Sequence, residues 1–180
     1  MTTNHNHGTP KITTEPLLTR VDIEQGVARL AEVIGGATCS EKTTLLTIAQ
    51  RGRPVSGAMR HNLPTHQHSE MLCVPAMHST ELSVDFNGSS VGDVSGRHVV
   101  LLDAIYETGK TFLYASDVVL SWGAKSVSFV SLLEKRCEKQ QPDLIVSTAF
   151  RIPDLSVVGW GLGYNGMYQD LKNIHLVTME

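Results

Sequence analysis

The stretch Val99-Val100-Leu101-Leu102-Asp103-Ala104-Ile105-Tyr106-Glu107-Thr108-Gly109-Lys110-Thr111 decides how the whole chain is read. A buried apolar run ends on an acidic residue. A short loop then delivers Thr-Gly-Lys-Thr to the start of an amphipathic helix. Such a turn is a phosphate cradle: backbone N–H groups around the glycine point outward, the helix N-terminus adds a favourable dipole, and Thr108 and Thr111 can supply hydroxyl donors. The acids before the turn stand where a ribose, or a metal beside that phosphate, would lie. A sugar phosphate is the ligand these residues suit.

Composition limits what surrounds the cradle. At 180 residues the chain suits one α/β domain with a substantial core. A net charge of −3 and a pI near 6.2 give no electrostatic reason to expect nucleic acid or an anionic membrane as a partner, so anion binding has to be local. Cys39, Cys73 and Cys137 are odd in number and lack CxxC spacing, which suggests neither a disulfide framework nor a zinc knuckle. No apolar run approaches the roughly 20 residues of a spanning helix. Met1 to Arg20 is polar, is broken by Pro10 and Pro16, and does not read as a signal peptide. The expectation is a cytoplasmic protein with a disordered segment over 1–20 and a single domain over 21–180.

Strands and helices alternate along that domain. Asp22 is expected to cap a helix over 23–34, with Ile23, Val27, Leu30, Ala31 and Ile34 on its apolar face and Gly35-Gly36 stopping it. A strand over 45–49, a turn at Gln50-Arg51-Gly52-Arg53, a helix over 54–61 and a strand over 71–75 follow. The Ser- and Gly-rich stretch 76–96 reads as a hairpin or flap. Beyond the central strand at 99–102, a helix over 111–122 carries Phe112, Ala115, Val118 and Val119 inward, and Gly123 ends it. Strands over 127–133, 144–149 and 174–177 complete a mostly parallel sheet flanked by helices.

In this order of elements, the cradle resembles the phosphoribosyl-diphosphate loop of type I phosphoribosyltransferases. The tail narrows the resemblance. Gln141-Pro142-Asp143, then the run Ile152-Pro153-Asp154-Leu155-Ser156-Val157-Val158-Gly159-Trp160-Gly161-Leu162-Gly163-Tyr164, then Tyr168-Gln169-Asp170-Leu171, is similar to the C-terminal hood of hypoxanthine-guanine phosphoribosyltransferases. The resemblance implies a Rossmann-like core that binds a 5-phosphoribosyl group, a small hood over the base, and a homodimer or homotetramer. It also implies phosphoribosyl diphosphate or a nucleoside monophosphate as the bound partner.

Roles follow residue by residue. The resemblance gives the 5′-phosphate to Thr108, Gly109, Lys110 and Thr111, and pyrophosphate to Arg51-Gly52, whose charge suits that leaving group. Of the paired acids that hold the ribose hydroxyls, and with them Mg²⁺, the first is present as Asp103 and the second is Ala104. The acid that assists proton transfer corresponds to Glu107. The base would sit among Ile105, Gln141, Ser156, Val157, Trp160 and Gly163. There the chain departs from the family: Gln141 replaces the purine-reading Lys, Ser156 the stacking aromatic, Gly163 an Asp near the metal shell, and Gln169 an Arg that steadies pyrophosphate. Val157, Val158, Gly159, Leu162, Tyr164 and Leu171 keep the scaffold. The expected function is transfer of a 5-phosphoribosyl group between diphosphate and a nucleobase or related acceptor, outside ordinary hypoxanthine or guanine salvage.

Two other readings stay open. A sugar-phosphate or nucleotide sensor on the same fold needs the cradle but not the acids missing at Ala104 and Gly163. A P-loop NTPase would use Gly109-Lys110-Thr111, but Ala104 stands where its pattern needs a first Gly, and the hood motif has no place in it. His61, His66 and His68 have metal-binding side chains without an acidic or Cys partner at ligand spacing, and read as surface residues. Cys73 reads as a core thiol. Trp160 and Tyr164 are each candidates for the lost stacking residue, with core packing the plainer role for Tyr164.

Overall fold

A computed structural model describes residues 10–38, 43–48, 50–63, 68–72, 94–137 and 144–179. The elements in chain order are β1 (Pro10–Ile12), α1 (Arg20–Thr38), β2 (Thr43–Ile48), a short 3-10 turn (Gln50–Gly52), α2 (Arg53–Arg60), β3 (His68–Leu72) and β4 (His98–Tyr106). Then come α3 (Lys110–Ser121), β5 (Ser126–Lys135), β6 (Val146–Ile152), β7 (Val157–Val158) and β8 (His175–Met179). Five strands form a parallel sheet in the order β3-β2-β4-β5-β6, and β1-β8-β7 form a separate antiparallel sheet.

The parallel sheet is covered on both faces, which explains the unbroken apolar run Val99 to Leu102 of its central strand β4. Along β4, Val100, Leu102 and Ala104 join the core shared with α1, α2 and the small sheet, while Val99 and Leu101 join the one built with α3. All six residues of β2 are buried, including Thr43, Thr44 and Thr47.

Several boundaries differ from expectation. Asp22 is the third residue of α1 rather than its cap. Thr19 precedes α1 and its hydroxyl accepts from Asp22 N at 3.2 Å, while Asp22 Oδ2 accepts from Thr19 N at 2.9 Å, a reciprocal capping box. Gly35 and Gly36 do not stop α1, which keeps its helical backbone to Thr38. A glycine weakens a helix interior by only about 1 kcal/mol, and ends a helix chiefly where it turns left-handed. The segment expected to be disordered is built in from residue 10: Pro10 to Ile12 pair with Met179 to Val177, and Leu17 and Leu18 donate to Ile174 O. Edge pairing supplies the order that composition alone did not suggest.

The strand expected over 174–177 does not complete the parallel sheet. It is β8, antiparallel to β1 and β7, so the two ends of the chain make the hood. The strand expected over 71–75 begins earlier, at His68, and residues 73–75, Cys73 among them, lie outside the described residues, as does most of the flap over 76–96. β4 runs four residues past its expected end, so Asp103 sits within the strand and not in the loop.

Candidate active site

Sheet order fixes where the site must be. From β2 the chain moves outward to β3, then returns to β4 on the other side of β2 and continues outward through β5 and β6. The C-terminal ends of β2 and β4 therefore diverge in their connections and leave a crevice, the usual ligand site of an open parallel sheet. Arg51-Gly52 follows β2 and Asp103 to Thr111 closes β4, so both predicted loops meet there. Gly52 is pressed against the sheet: a Cβ on it would lie 2.5 Å from Thr47 Cγ2 and 3.5 Å from Leu102 O. That close approach brings the Arg51 turn over the end of β4.

The cradle is held at both ends by aromatic rings. Tyr106 enters the loop and Phe112 leaves it, with ring centroids 5.9 Å apart, and Phe112 meets Phe129 of β5 edge-on at 5.3 Å. Between them Gly109 caps α3 with φ 89°, a left-handed conformation that costs other residues strain, and no side chain caps the helix. Thr108, Gly109 and Thr111 line a cavity of about 140 Å³ with Arg51, Asp103, Ile105 and Glu107. Lys110 is the first residue of α3 and exposed, away from the cavity wall.

Asp103 is half-buried at the base of this cavity. Burial pushes its carboxyl up to about 7, opposed by hydrogen bonds from the Ala104 and Ile105 amides and by the Arg51 guanidinium, while Glu107 adds a smaller push upward. The Ala104 amide donates to Asp103 Oδ1 at 2.7 Å. β2 pairs with β4 only as far as Leu102, so the carboxylate takes up backbone donors that no β2 partner reaches.

Arg51, Ile105 and Glu107 also line a second cavity, of about 160 Å³, under the hood, with Lys135, Ser156, Val157, Leu162, Gly163 and Tyr164. The two cavities are halves of one cleft, and Glu107 stands between them. Its carboxylate pairs with Lys135, whose Nζ also lies 4.0 Å from Asp154 Oδ1. Sequence reasoning missed Lys135. The available signal was its position at the end of the strand Leu132-Leu133-Glu134-Lys135, beside β4 in a parallel sheet, where Tyr106 pairs with Glu134.

Trp160 does not line the hood cavity. It lines a separate groove of about 310 Å³ with Arg20, Glu24, Pro54, Ala58 and Lys172 and packs in part against the main core, away from the place of the stacking residue. Tyr164 does line the hood cavity, half-buried. Gln141, His66 and the side chain of His68 lie outside the described residues. His61 is exposed, with Nδ1 3.0 Å from Gly57 O. Among the described residues no group of three or more His, Cys, Asp or Glu side chains is placed to hold a metal, and no helix is long and apolar enough to cross a membrane.

The family model described as "Phosphoribosyl transferase domain" matches residues 14–165. A hypoxanthine-guanine phosphoribosyltransferase of Streptococcus pneumoniae is 25% identical over 170 residues, covering 91% of this chain and 93% of that protein. The protein of the same name from Mus spretus is 32% identical over 94 residues, 51% of this chain; the match spans less than half of the mouse protein, 42%. The fold superposes on a crystal structure of a hypoxanthine-guanine phosphoribosyltransferase from Bacillus anthracis with a TM-score of 0.81 at 20% identity, covering 95% of this chain and all of the other. A parallel sheet with its crevice at the ends of β2 and β4, the cradle at the start of α3 and this match over most of the chain agree: the chain belongs to the phosphoribosyltransferase family.

Proposed function

We propose that the protein is a phosphoribosyltransferase that moves a 5-phosphoribosyl group between diphosphate and a ring nitrogen of a nucleobase or related acceptor. One observation carries the reading: the cradle, Arg51, Asp103 and Glu107 converge on a cleft whose second half lies under the hood. Phosphate at the cradle and an acceptor under the hood would place the anomeric carbon beside Glu107. Displacement there proceeds through an oxocarbenium-like state, so positioning and electrostatics do most of the work. Glu107 takes or orients the acceptor proton. Arg51 offers its guanidinium to the departing diphosphate.

Mg²⁺ suits these residues only in part. It is commonly bound through one or two carboxylates together with substrate phosphates and water. Asp103 supplies one carboxylate; Ala104 and Gly163 supply none. Asp103 would therefore be the residue that holds the ion beside the diphosphate. When bound, the ion neutralises charge on the diphosphate.

Several relatives are named for hypoxanthine and guanine, yet Ser156 offers no ring on which a purine can stack. We infer an acceptor gripped less firmly than in ordinary salvage, and, from the family resemblance, a homodimer or homotetramer. The test is nucleotide formation from phosphoribosyl diphosphate, Mg²⁺ and a panel of nucleobases. Turnover with at least one acceptor is expected. Binding of phosphoribosyl diphosphate without turnover on any of them would favour the second reading, a nucleotide or sugar-phosphate sensor, to which the missing acids at Ala104 and Gly163 point.

A further inference from the structure

The Arg51-Gly52 turn is held by the sheet through Gly52 and by the hood through Gly161. A Cβ on Gly161 would lie 2.6 Å from Pro54 Cγ, 3.0 Å from Pro54 Cδ and 3.3 Å from Arg51 O. The proline ring cannot swing aside as a long side chain would, so the hood comes down onto the start of α2 because residue 161 is bare. The turn that delivers it is stiff. Gly159 N donates to Leu162 O at 2.8 Å and Leu162 N to Gly159 O at 3.1 Å, and both central residues are left-handed, Trp160 at φ 54° and Gly161 at φ 89°. The amides at its tip are taken as well: Trp160 N donates to Leu171 O at 2.7 Å and Gly161 N to Gln169 O at 2.9 Å. A tryptophan at positive φ is strained, and such strain persists only where the surroundings over-determine it.

We propose that Gly161 is a positioning residue for the diphosphate group: at the tip of a rigid hood turn, it bears on Pro54 and the Arg51 carbonyl and so fixes the Arg51-Gly52 turn over the end of β4. The inference rests on the phosphoribosyltransferase reading and adds the element that holds its diphosphate site in place. Gly161 lines neither half of the cleft, whereas Arg51 lines both, so the hood acts on the ligand through Arg51 and not directly. The cradle, carried by β4 and α3, is independent of this contact. A misplacement of about 1 Å in a binding group can cost on the order of a hundredfold. Displacing the turn should therefore weaken the hold on diphosphate by roughly tenfold to a hundredfold and leave the hold on the 5′-phosphate alone.

The test is calorimetry on the full chain with Mg²⁺ present, comparing phosphoribosyl diphosphate with ribose 5-phosphate; the ratio of the two affinities reads the diphosphate group. Wild type is expected to prefer phosphoribosyl diphosphate. Gly161→Ala should lower the ratio by the factor given above while ribose 5-phosphate binds as before. In Gly161→Ala/Pro54→Ala the added methyl fills space that the proline ring vacates, so the ratio should return towards wild type. The loss of stability in denaturant, which follows from the left-handed backbone at 161, should remain. A merely structural glycine would show the lost stability without the change in ratio. If Gly161→Ala does not fold, Pro54→Ala, which empties the same contact, takes its place and should lower the ratio as well. The proposal alone is overturned if wild type prefers phosphoribosyl diphosphate and the ratio survives the single variant, or if the double variant regains nothing. If wild type shows no preference, the diphosphate site and the function built on it fail, and this proposal fails with them.

Discussion

The side chain of Gln169 occupies the space beside the Cα of Gly163: a Cβ placed on Gly163 would lie 2.6 Å from Gln169 Cγ and 2.7 Å from Nε2. The family resemblance puts an acid and an arginine at these two positions, so the two departures are a single packing arrangement. Restoring the acid alone should be costly. Gly163→Asp is expected to destabilise by about 1–3 kcal/mol, the usual range for overpacking. In a Gln169→Ala background most of that cost should vanish, a coupling that a double-mutant cycle in denaturant measures directly. Simple additivity would mean that Gln169 yields freely.

The cradle depends on Gly109. Its φ of 89° is strained for any residue with a Cβ, and a branched side chain there would stand in a cavity of about 140 Å³. Gly109→Val should abolish binding of ribose 5-phosphate in calorimetry. Unchanged affinity would show that the phosphate sits elsewhere.

Asp103 makes stability depend on pH in a definite direction. Burial holds its folded-state pKa at about 7, above the ordinary 3.8. Between those values the native state keeps a proton that the unfolded chain has lost. The stabilisation is therefore fully present below the unfolded pKa and is lost as pH rises through the folded one. With chelator present to keep metal away, the stability of wild type relative to Asp103→Asn should fall steadily from pH 4 to 7 and level off above about 8. Parallel curves for the two proteins across that range would show that the carboxyl is not raised.

Much of this site was legible in the sequence because its chemistry is local. Asp103, Glu107 and the Thr-Gly-Lys-Thr turn lie within nine residues, and the turn's position between an apolar strand and a helix dictates its direction. The sheet order that makes Arg51 a neighbour follows from parallel crossovers. What escaped is non-local. Lys135 meets Glu107 only through strand register, and Trp160, at a left-handed φ of 54°, packs against the main core and lines a different groove from the hood cavity. Likewise β8 looks like any apolar strand, and only its pairing with Pro10 to Ile12 and with β7 assigns it to the hood and not to the parallel sheet.

Under the proposed function, Ser156 should set the strength of the grip on the acceptor. It stands on the rim of the hood cavity where the family resemblance expects an aromatic ring. Stacking on an aromatic side chain is worth about 1–3 kcal/mol per base. Hypoxanthine and guanine are therefore expected to be poor substrates of the wild-type protein, with high KM, and Ser156→Phe should lower KM for both by roughly five- to a hundredfold. Steady-state assays at millimolar base check this. Efficient turnover by the wild type would show that another residue holds the ring.

Glu107 separates catalyst from sensor. It stands between the two halves of the cleft, half-exposed and paired with Lys135. A positioned carboxylate acting as general base contributes about 10² to 10⁴ in rate. Glu107→Gln keeps the size and the hydrogen-bonding capacity but cannot take a proton. In an enzyme, kcat should fall by that order while the affinity for ribose 5-phosphate, held mainly at the cradle, changes little. In a sensor there is no turnover to lose, and removing a negative charge from the wall of the phosphate cavity should tighten binding of an anionic ligand. The same pair of proteins, assayed for turnover and titrated with ribose 5-phosphate, gives opposite patterns in the two cases. A variant that matches wild type in both would remove Glu107 from either role.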